Sequence, residues 1–103
     1  MDLEDYQEWV KDSWTGPKDK SYAAIGFGGE AGEVLNEVKK ELRDGDDRST
    51  LIRDELGDSL HYLIRLADIY GYSLEELAKH NVAKCKARNL LKKTVSKGPV
   101  AHQ

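Results

Sequence analysis

Two acidic pairs are spaced for joint chemistry: Glu30 with Glu33, and Glu55 with Asp58. Residues three or four apart share a helix face, so each pair, if helical, projects both carboxylates together. Glu30, Glu33, Glu37 and Glu41 continue as one acidic stripe beside an apolar stripe of Phe27, Ala31, Val34, Val38 and Leu42. Taken alone, that pattern is an amphipathic helix with its carboxylates in water. The second pair is harder to solvate. At about 100° per residue, Glu55 falls inside the stripe Ile52, Leu56, Ser59, Leu63, Leu66 and Tyr70, with Asp58 at its edge. Leu60, Ile64 and Ala67 give the same helix a second apolar side. A carboxylate withdrawn from water is costly unless it is paired, hydrogen-bonded or bound to metal. Glu55 and Asp58 therefore call for a Lys or Arg cation, or for a metal ion.

If the two pairs face each other, four carboxylates surround one point. Hard oxygen donors of this kind suit Mg²⁺, with Mn²⁺ as a substitute. The Glu-x-x-His pairs of di-iron bundles do not occur. His61 follows Asp58 by three but points away from the Glu55 face, so His61, His80 and His102 read as surface or packing residues. Spacing supports no Ser-His-Asp or Cys-His arrangement. Cys85 reads as a small residue on the inner face of its helix.

The elements that must carry these residues are helical. Breakers divide the chain into four segments. The first spans about residues 2–14, with Leu3, Tyr6, Gln7, Val10 and Trp14 at helical spacing, and Gly16-Pro17 ends it. The second opens at Asp19 or Ser21 and runs to Arg43, with Gly45 as its stop. The third opens at Arg48 or Ser49 and ends at Tyr70, with Gly71 just beyond its end. Ser73 opens the fourth as a capping box with Glu76, and that helix reaches about Leu91. Gly26, Gly28, Gly29 and Gly32 crowd the second segment, although each costs a helix up to about 1 kcal/mol relative to alanine. They fit a helix that something approaches closely better than a phosphate-cradling loop, because GFGGEAGE is neither a P-loop nor GxGxxG. The expected fold is all-α, a four-helix bundle-type protomer, with one domain over residues 1–92 and a disordered tail over 93–103.

Composition narrows the function class. With 16 basic and 19 acidic residues the net charge is -3, which disfavours a nucleic-acid partner. One cysteine suits a reducing cytoplasm. The acidic N-terminal stretch MDLEDYQEW has no signal-peptide core, and no apolar run approaches the roughly 20 residues a bilayer requires. A chain of 103 residues buries little surface alone, so self-association is expected.

The motifs GGEAGEVLNEVKK and DELGDSLHYL, followed by NVAKCKARN, resemble the all-α nucleotide pyrophosphohydrolases of the MazG-like group, related to the dCTP pyrophosphatases. The resemblance runs through nearly all the chain up to Asn89, weakly at the YQEW opening. It implies Mg²⁺-dependent hydrolysis of a nucleoside triphosphate, a dNTP, to the monophosphate and pyrophosphate, by a dimer or tetramer. It assigns Glu30, Glu33, Glu55 and Asp58 to metal and catalysis, and Asn81, Lys84 and Arg88 to phosphate. The residues themselves agree in part. Asn81 and Arg88 share a face with Leu74, Ala78 and Cys85, with Lys84 at its edge, and polar groups on an inward face need a ligand or a buried partner. Tyr62 matches a substrate contact of the dCTP pyrophosphatases, or packs the core. Lys40, near Glu33, is within reach of phosphate. It stands where those enzymes have an aromatic residue, a departure from the cytosine-specific pattern. Trp14 is able to stack on a base but sits on the apolar face, and Trp9 fits a subunit interface. The alternative function is a non-catalytic metal- or nucleotide-binding helical regulator.

Overall fold

The computed structural model describes residues 1–95, with side chains as far as Leu90. They form four helices: α1 (Leu3–Ser13), α2 (Lys20–Asp44), α3 (Ser49–Ile69) and α4 (Leu74–Val95), with no strand among the described residues. The all-α expectation is met. α4 runs on to Val95, past the point where the sequence suggested a tail. The remainder of that tail, residues 96–103, lies outside the described residues.

Local chemistry explains each boundary. Asp2 caps α1, its carboxylate accepting the Asp5 N–H at 2.8 Å while Asp5 accepts the Asp2 N–H at 3.3 Å. Asp19 caps α2 by accepting the Tyr22 N–H at 2.7 Å. Gly45, at φ 72°, ends α2 in the left-handed region, and its N–H donates to the Glu41 carbonyl at 2.8 Å. Gly71, at φ 81°, turns the chain after α3. The Ser73–Glu76 box opens α4 with both of its hydrogen bonds at 3.1 Å.

α2 and α3 pack along their lengths as an antiparallel hairpin. The register is visible in three pairs: Gly26 beside Tyr62, Glu30 beside Asp58, and Glu37 beside Arg48. Gly26 lies so close that a Cβ there would land on the Tyr62 ring. α1 lies against α3 and buries Val10, while Ala23 and Ile64 complete a small core. Ile64 came from the second apolar side of α3, whereas Leu56 and Tyr70 of the expected core stripe are exposed.

The single chain does not close its four helices around one axis. α4 packs on α1 at its N-terminal end, where the Leu74 N–H donates to Gln7 Oε1 at 3.0 Å, and then leaves the hairpin. The radius of gyration is 17.5 Å, against about 13 Å for a compact domain of this length. Much apolar surface stays in water. Ile25, Leu35 and Leu42 are 75 %, 71 % and 81 % exposed, where burying such side chains is worth about 1.5–3 kcal/mol each. No helix among the described residues is long and apolar enough to cross a membrane.

Candidate functional site

Tyr22, Gly26 and Glu30 follow one another at four-residue intervals, which aligns them along one edge of α2. α3 answers with Glu55, Asp58 and Tyr62. The hairpin register brings one carboxylate oxygen each of Glu30, Glu55 and Asp58 within 4.8 Å of one another. Glu30 and Glu55 are half-buried and Asp58 is exposed, so the cluster opens to solvent on one side. Burial pushes the Glu55 carboxyl above the usual carboxylate range, and the negative charges of Glu30 and Asp58 push it further. A hydrogen bond with Glu30 and the charge of Glu33 act in the same direction. Every neighbour acting on Glu55 in this way is itself acidic. Such a set fits a hard divalent cation, which would relieve the repulsion and favour the ionised form.

Glu33 is exposed and stands outside the three-oxygen cluster, close enough for its charge to act on Glu55. The acidic stripe on α2 is therefore not uniform. Farther along it, Arg48 Nη1 pairs with Glu37 at 3.2 Å and the Arg48 N–H donates to Glu41 Oε2 at 2.8 Å. Lys40 pairs with Glu37 at 3.6 Å.

Beside the carboxylates lies a cleft of about 370 Å³, walled by Trp9, Trp14, Tyr22, His61 and Tyr62. Trp14 is its hub. Its indole N–H donates to the Pro17 carbonyl at 3.0 Å, its ring stacks on His61 (5.5 Å, 25°), and Tyr22 and Tyr62 meet it edge-on at 6.3 and 5.5 Å. The Arg65 guanidinium lies 5.3 Å from the Trp14 ring centroid and pairs with Asp68 at 3.1 Å. Burial raises the Tyr62 hydroxyl pKa, as do its hydrogen bond to Tyr22 and the charges of Tyr22, Glu30 and Asp58, so the cleft and the carboxylates share an electrostatic environment. Sequence pattern pointed to Trp14 and Tyr62 but left Trp9 at an interface and His61 at the surface or in packing. His61 is half-buried within the aromatic group, edge-on to Trp9 at 6.0 Å. The four-residue spacing of Tyr22, Gly26 and Glu30 was the signal that could have found Tyr22.

α4 departs from expectation. Asn81, Lys84 and Arg88 are exposed, and the face they share with Leu74 and Ala78 is not an inward face of this chain. Among the described residues of α4, Leu74 and Leu77 in the first turn are half-buried near α1, whereas Asn81, Lys84 and Arg88 farther along stand in solvent. Cys85 is half-buried, its thiol 4.0 Å from Asn81 Oδ1. His80 is exposed, and His102 lies outside the described residues.

Residues 23–90 match the family described as the MazG nucleotide pyrophosphohydrolase domain. The chain belongs to that family. A relative, the Gene 37 protein of Mycobacterium phage L5, is 38% identical over 73 residues, covering 66% of this chain and 64% of the phage protein. The chain thus spans just under two thirds of that relative's length. No solved structure matches it.

Proposed function

We propose that the protein hydrolyses a nucleoside triphosphate, specifically a dNTP, to the nucleoside monophosphate and pyrophosphate with Mg²⁺, as a cytoplasmic dimer or tetramer with one catalytic domain over residues 1–92. The observation that carries this reading is the Glu30–Glu55–Asp58 cluster, acidic, paired with no cation among the described residues and next to an aromatic cleft. The family supports the reaction class.

In this proposal Glu30, Glu55 and Asp58 hold the ion, with Glu33 beside them. Mg²⁺, or Mn²⁺ in its place, would neutralise phosphate charge and polarise the phosphoryl oxygens. Glu33, outside the three-oxygen cluster, is the carboxylate free to orient a water and accept its proton. The water oxygen bonds to the α-phosphorus, the bond from that phosphorus to the bridging oxygen breaks, and pyrophosphate leaves with the electron pair. Trp14 and Tyr62 flank the base, a role suited to flat aromatic walls. Asn81, Lys84 and Arg88 bind phosphate oxygens. Lys40, whose ammonium lies 3.6 Å from Glu37, is a further cation for the phosphates.

The test is a panel of canonical and modified dNTPs and NTPs with Mg²⁺ in ¹⁸O-labelled water. The expected products are pyrophosphate and a monophosphate carrying the label. Hydrolysis of no nucleotide, or release of orthophosphate and a diphosphate, would overturn the proposal.

A further inference from the structure

The aromatic cleft beside the carboxylates has few polar groups left for a ligand. The Trp14 indole N–H is taken by the Pro17 carbonyl, and the Ser13 hydroxyl donates to the Trp9 carbonyl at 2.6 Å. The Tyr22 and Tyr62 hydroxyls are engaged with each other. His61 is different. It is half-buried in the wall of the cleft, and its ring nitrogens find no hydrogen-bond partner among the described residues. Polar groups drawn out of water normally have one.

The His61 ring is nonetheless fixed in place. It stacks on Trp14 at 5.5 Å and meets Trp9 and Tyr62 edge-on, each at 6.0 Å. Trp14 is itself immobilised. Gly16 lies against its indole, where a Cβ would come within 3.1 Å of Cζ2. Arg65, one turn beyond His61 on α3 and only 6 % exposed, sets its guanidinium 5.3 Å from the indole centroid, and Asp68 holds Arg65 in turn at 3.1 Å. A side chain locked by packing on both sides presents its polar edge in one geometry, which is what a recognition contact requires.

The rest of the lining decides how strictly a base is read. Among the described residues no Asn, Gln, Asp, Glu, Lys or Arg lines the cleft. Those are the side chains that impose a fixed donor–acceptor pattern on a base edge. A neutral imidazole carries one donor and one acceptor and exchanges them by changing tautomer, and the Thr15 hydroxyl at the rim rotates to do either. The Trp9 N–H only donates, from a ring 52 % exposed to water. Adaptable groups of this kind accept more than one base.

We infer that His61 is the specificity-setting contact of the cleft: its imidazole hydrogen-bonds the edge of the nucleobase as donor or as acceptor, so that the site takes nucleotides of several bases and disfavours a flat group without a polar edge. The inference rests on the proposed function for placing a nucleotide in the cleft, and goes beyond it by naming what reads the base and how loosely.

The test compares wild type with His61→Phe, which keeps a flat ring against Trp14 and removes both nitrogens. Steady-state kinetics with Mg²⁺ use the four dNTPs and the dNTP of difluorotoluene, an apolar mimic of thymine. In wild type the four natural substrates should agree in kcat/KM within about tenfold, and the mimic should have a KM about tenfold above that of dTTP, the size of one neutral hydrogen bond. His61→Phe should raise the KM for dTTP to that of the mimic, leaving kcat and the mimic's KM nearly unchanged. A preference for dTTP that survives in His61→Phe, or an equal loss for dTTP and the mimic, would overturn the contact. A wild-type preference for one base beyond about 1,000-fold would overturn the loose reading, because only a site with a dedicated hydrogen-bond pattern discriminates so strongly.

Binding without turnover separates this inference from the reaction it rests on. Quenching of Trp9 and Trp14 fluorescence by the α,β-methylene analogues of dTTP and of the mimic reads the same preference in wild type, with no variant required. A protein that hydrolyses nothing yet binds the dTTP analogue about tenfold more tightly sinks the proposed reaction and keeps the base contact. Normal hydrolysis with no preference for dTTP over the mimic does the reverse.

Discussion

Two turns of α2 separate Glu30 from Glu37, and both glutamates lie on the stripe that faces α3. Their surroundings differ completely. Glu37 meets Arg48 and Lys40, and Glu41 accepts the Arg48 backbone N–H, so at the connection end of the hairpin acidic charge is used to fasten one helix to the next. Glu30 meets Glu55 and Asp58, and burial and like charge raise the Glu55 carboxyl. One stripe on one helix therefore holds a structural half, where carboxylates are neutralised by protein cations, and a candidate functional half, where no cation among the described residues pairs with them. A charged cluster kept unneutralised inside a hairpin lowers stability unless something outside the chain compensates it. That cost distinguishes a candidate metal site from an ordinary solvated face.

The largest expected effect breaks the functional half. Glu55→Gln and Asp58→Asn should each reduce nucleotide hydrolysis by more than about 100-fold, beyond the 10–100-fold typical of groups that only support a ligand. Glu33→Gln should also cause a severe loss, seen in kcat more than in KM if it handles the proton. The same variants should keep or raise the melting temperature of metal-free protein. A loss of fold accompanying the loss of activity would mean that the cluster is structural.

Gly26→Ala comes next. Its methyl would displace the Tyr62 ring from the wall of the cleft, and overpacking of this kind costs about 1–3 kcal/mol. Both the melting temperature and KM should suffer. A neutral Gly26→Ala would show that Tyr62 has room to move and that the cleft does not depend on its position.

The structural half should behave in the opposite way. Glu37→Gln or Arg48→Met should lower the melting temperature while changing kcat by less than about threefold, the small effect expected away from the reacting groups. A large fall in kcat with unchanged stability would erase the distinction between the two ends.

The smallest effect is on pH dependence. The folded-state pKa of Glu55 is raised, so its charged form is disfavoured by folding. The resulting penalty is fully present above the raised value and disappears as pH falls through it toward the ordinary carboxylate range. Glu55→Gln should therefore flatten the stability profile of metal-free protein across that window and leave it more stable than wild type at neutral pH. Thermal unfolding from pH 4 to 8 would show this, and parallel profiles for the two proteins would contradict it.

The parts legible in the sequence were those governed by near neighbours. The Ser73–Glu76 box, the Gly45 and Gly71 ends and the anomaly of Glu55 inside an apolar stripe rest on spacing of three or four residues. The aromatic cleft was only half visible, because Trp14, Tyr22 and His61 come from three parts of the chain and meet only once the hairpin register is set. The direction of α4 was not visible. A helical wheel groups Asn81, Cys85 and Arg88 with Leu74 and Ala78, but it does not say whether the surface that receives that face belongs to the same chain.

Metal binding at the uncompensated end tests the division of the stripe most directly. Mn²⁺ titrated into the full-length protein, with free ion followed by electron paramagnetic resonance, separates the two halves. Saturable binding is expected in wild type and in Glu37→Gln, and its loss in Glu55→Gln and Asp58→Asn. Equal binding by all four proteins, or by none, would contradict the assignment of Glu30, Glu55 and Asp58 as a metal site.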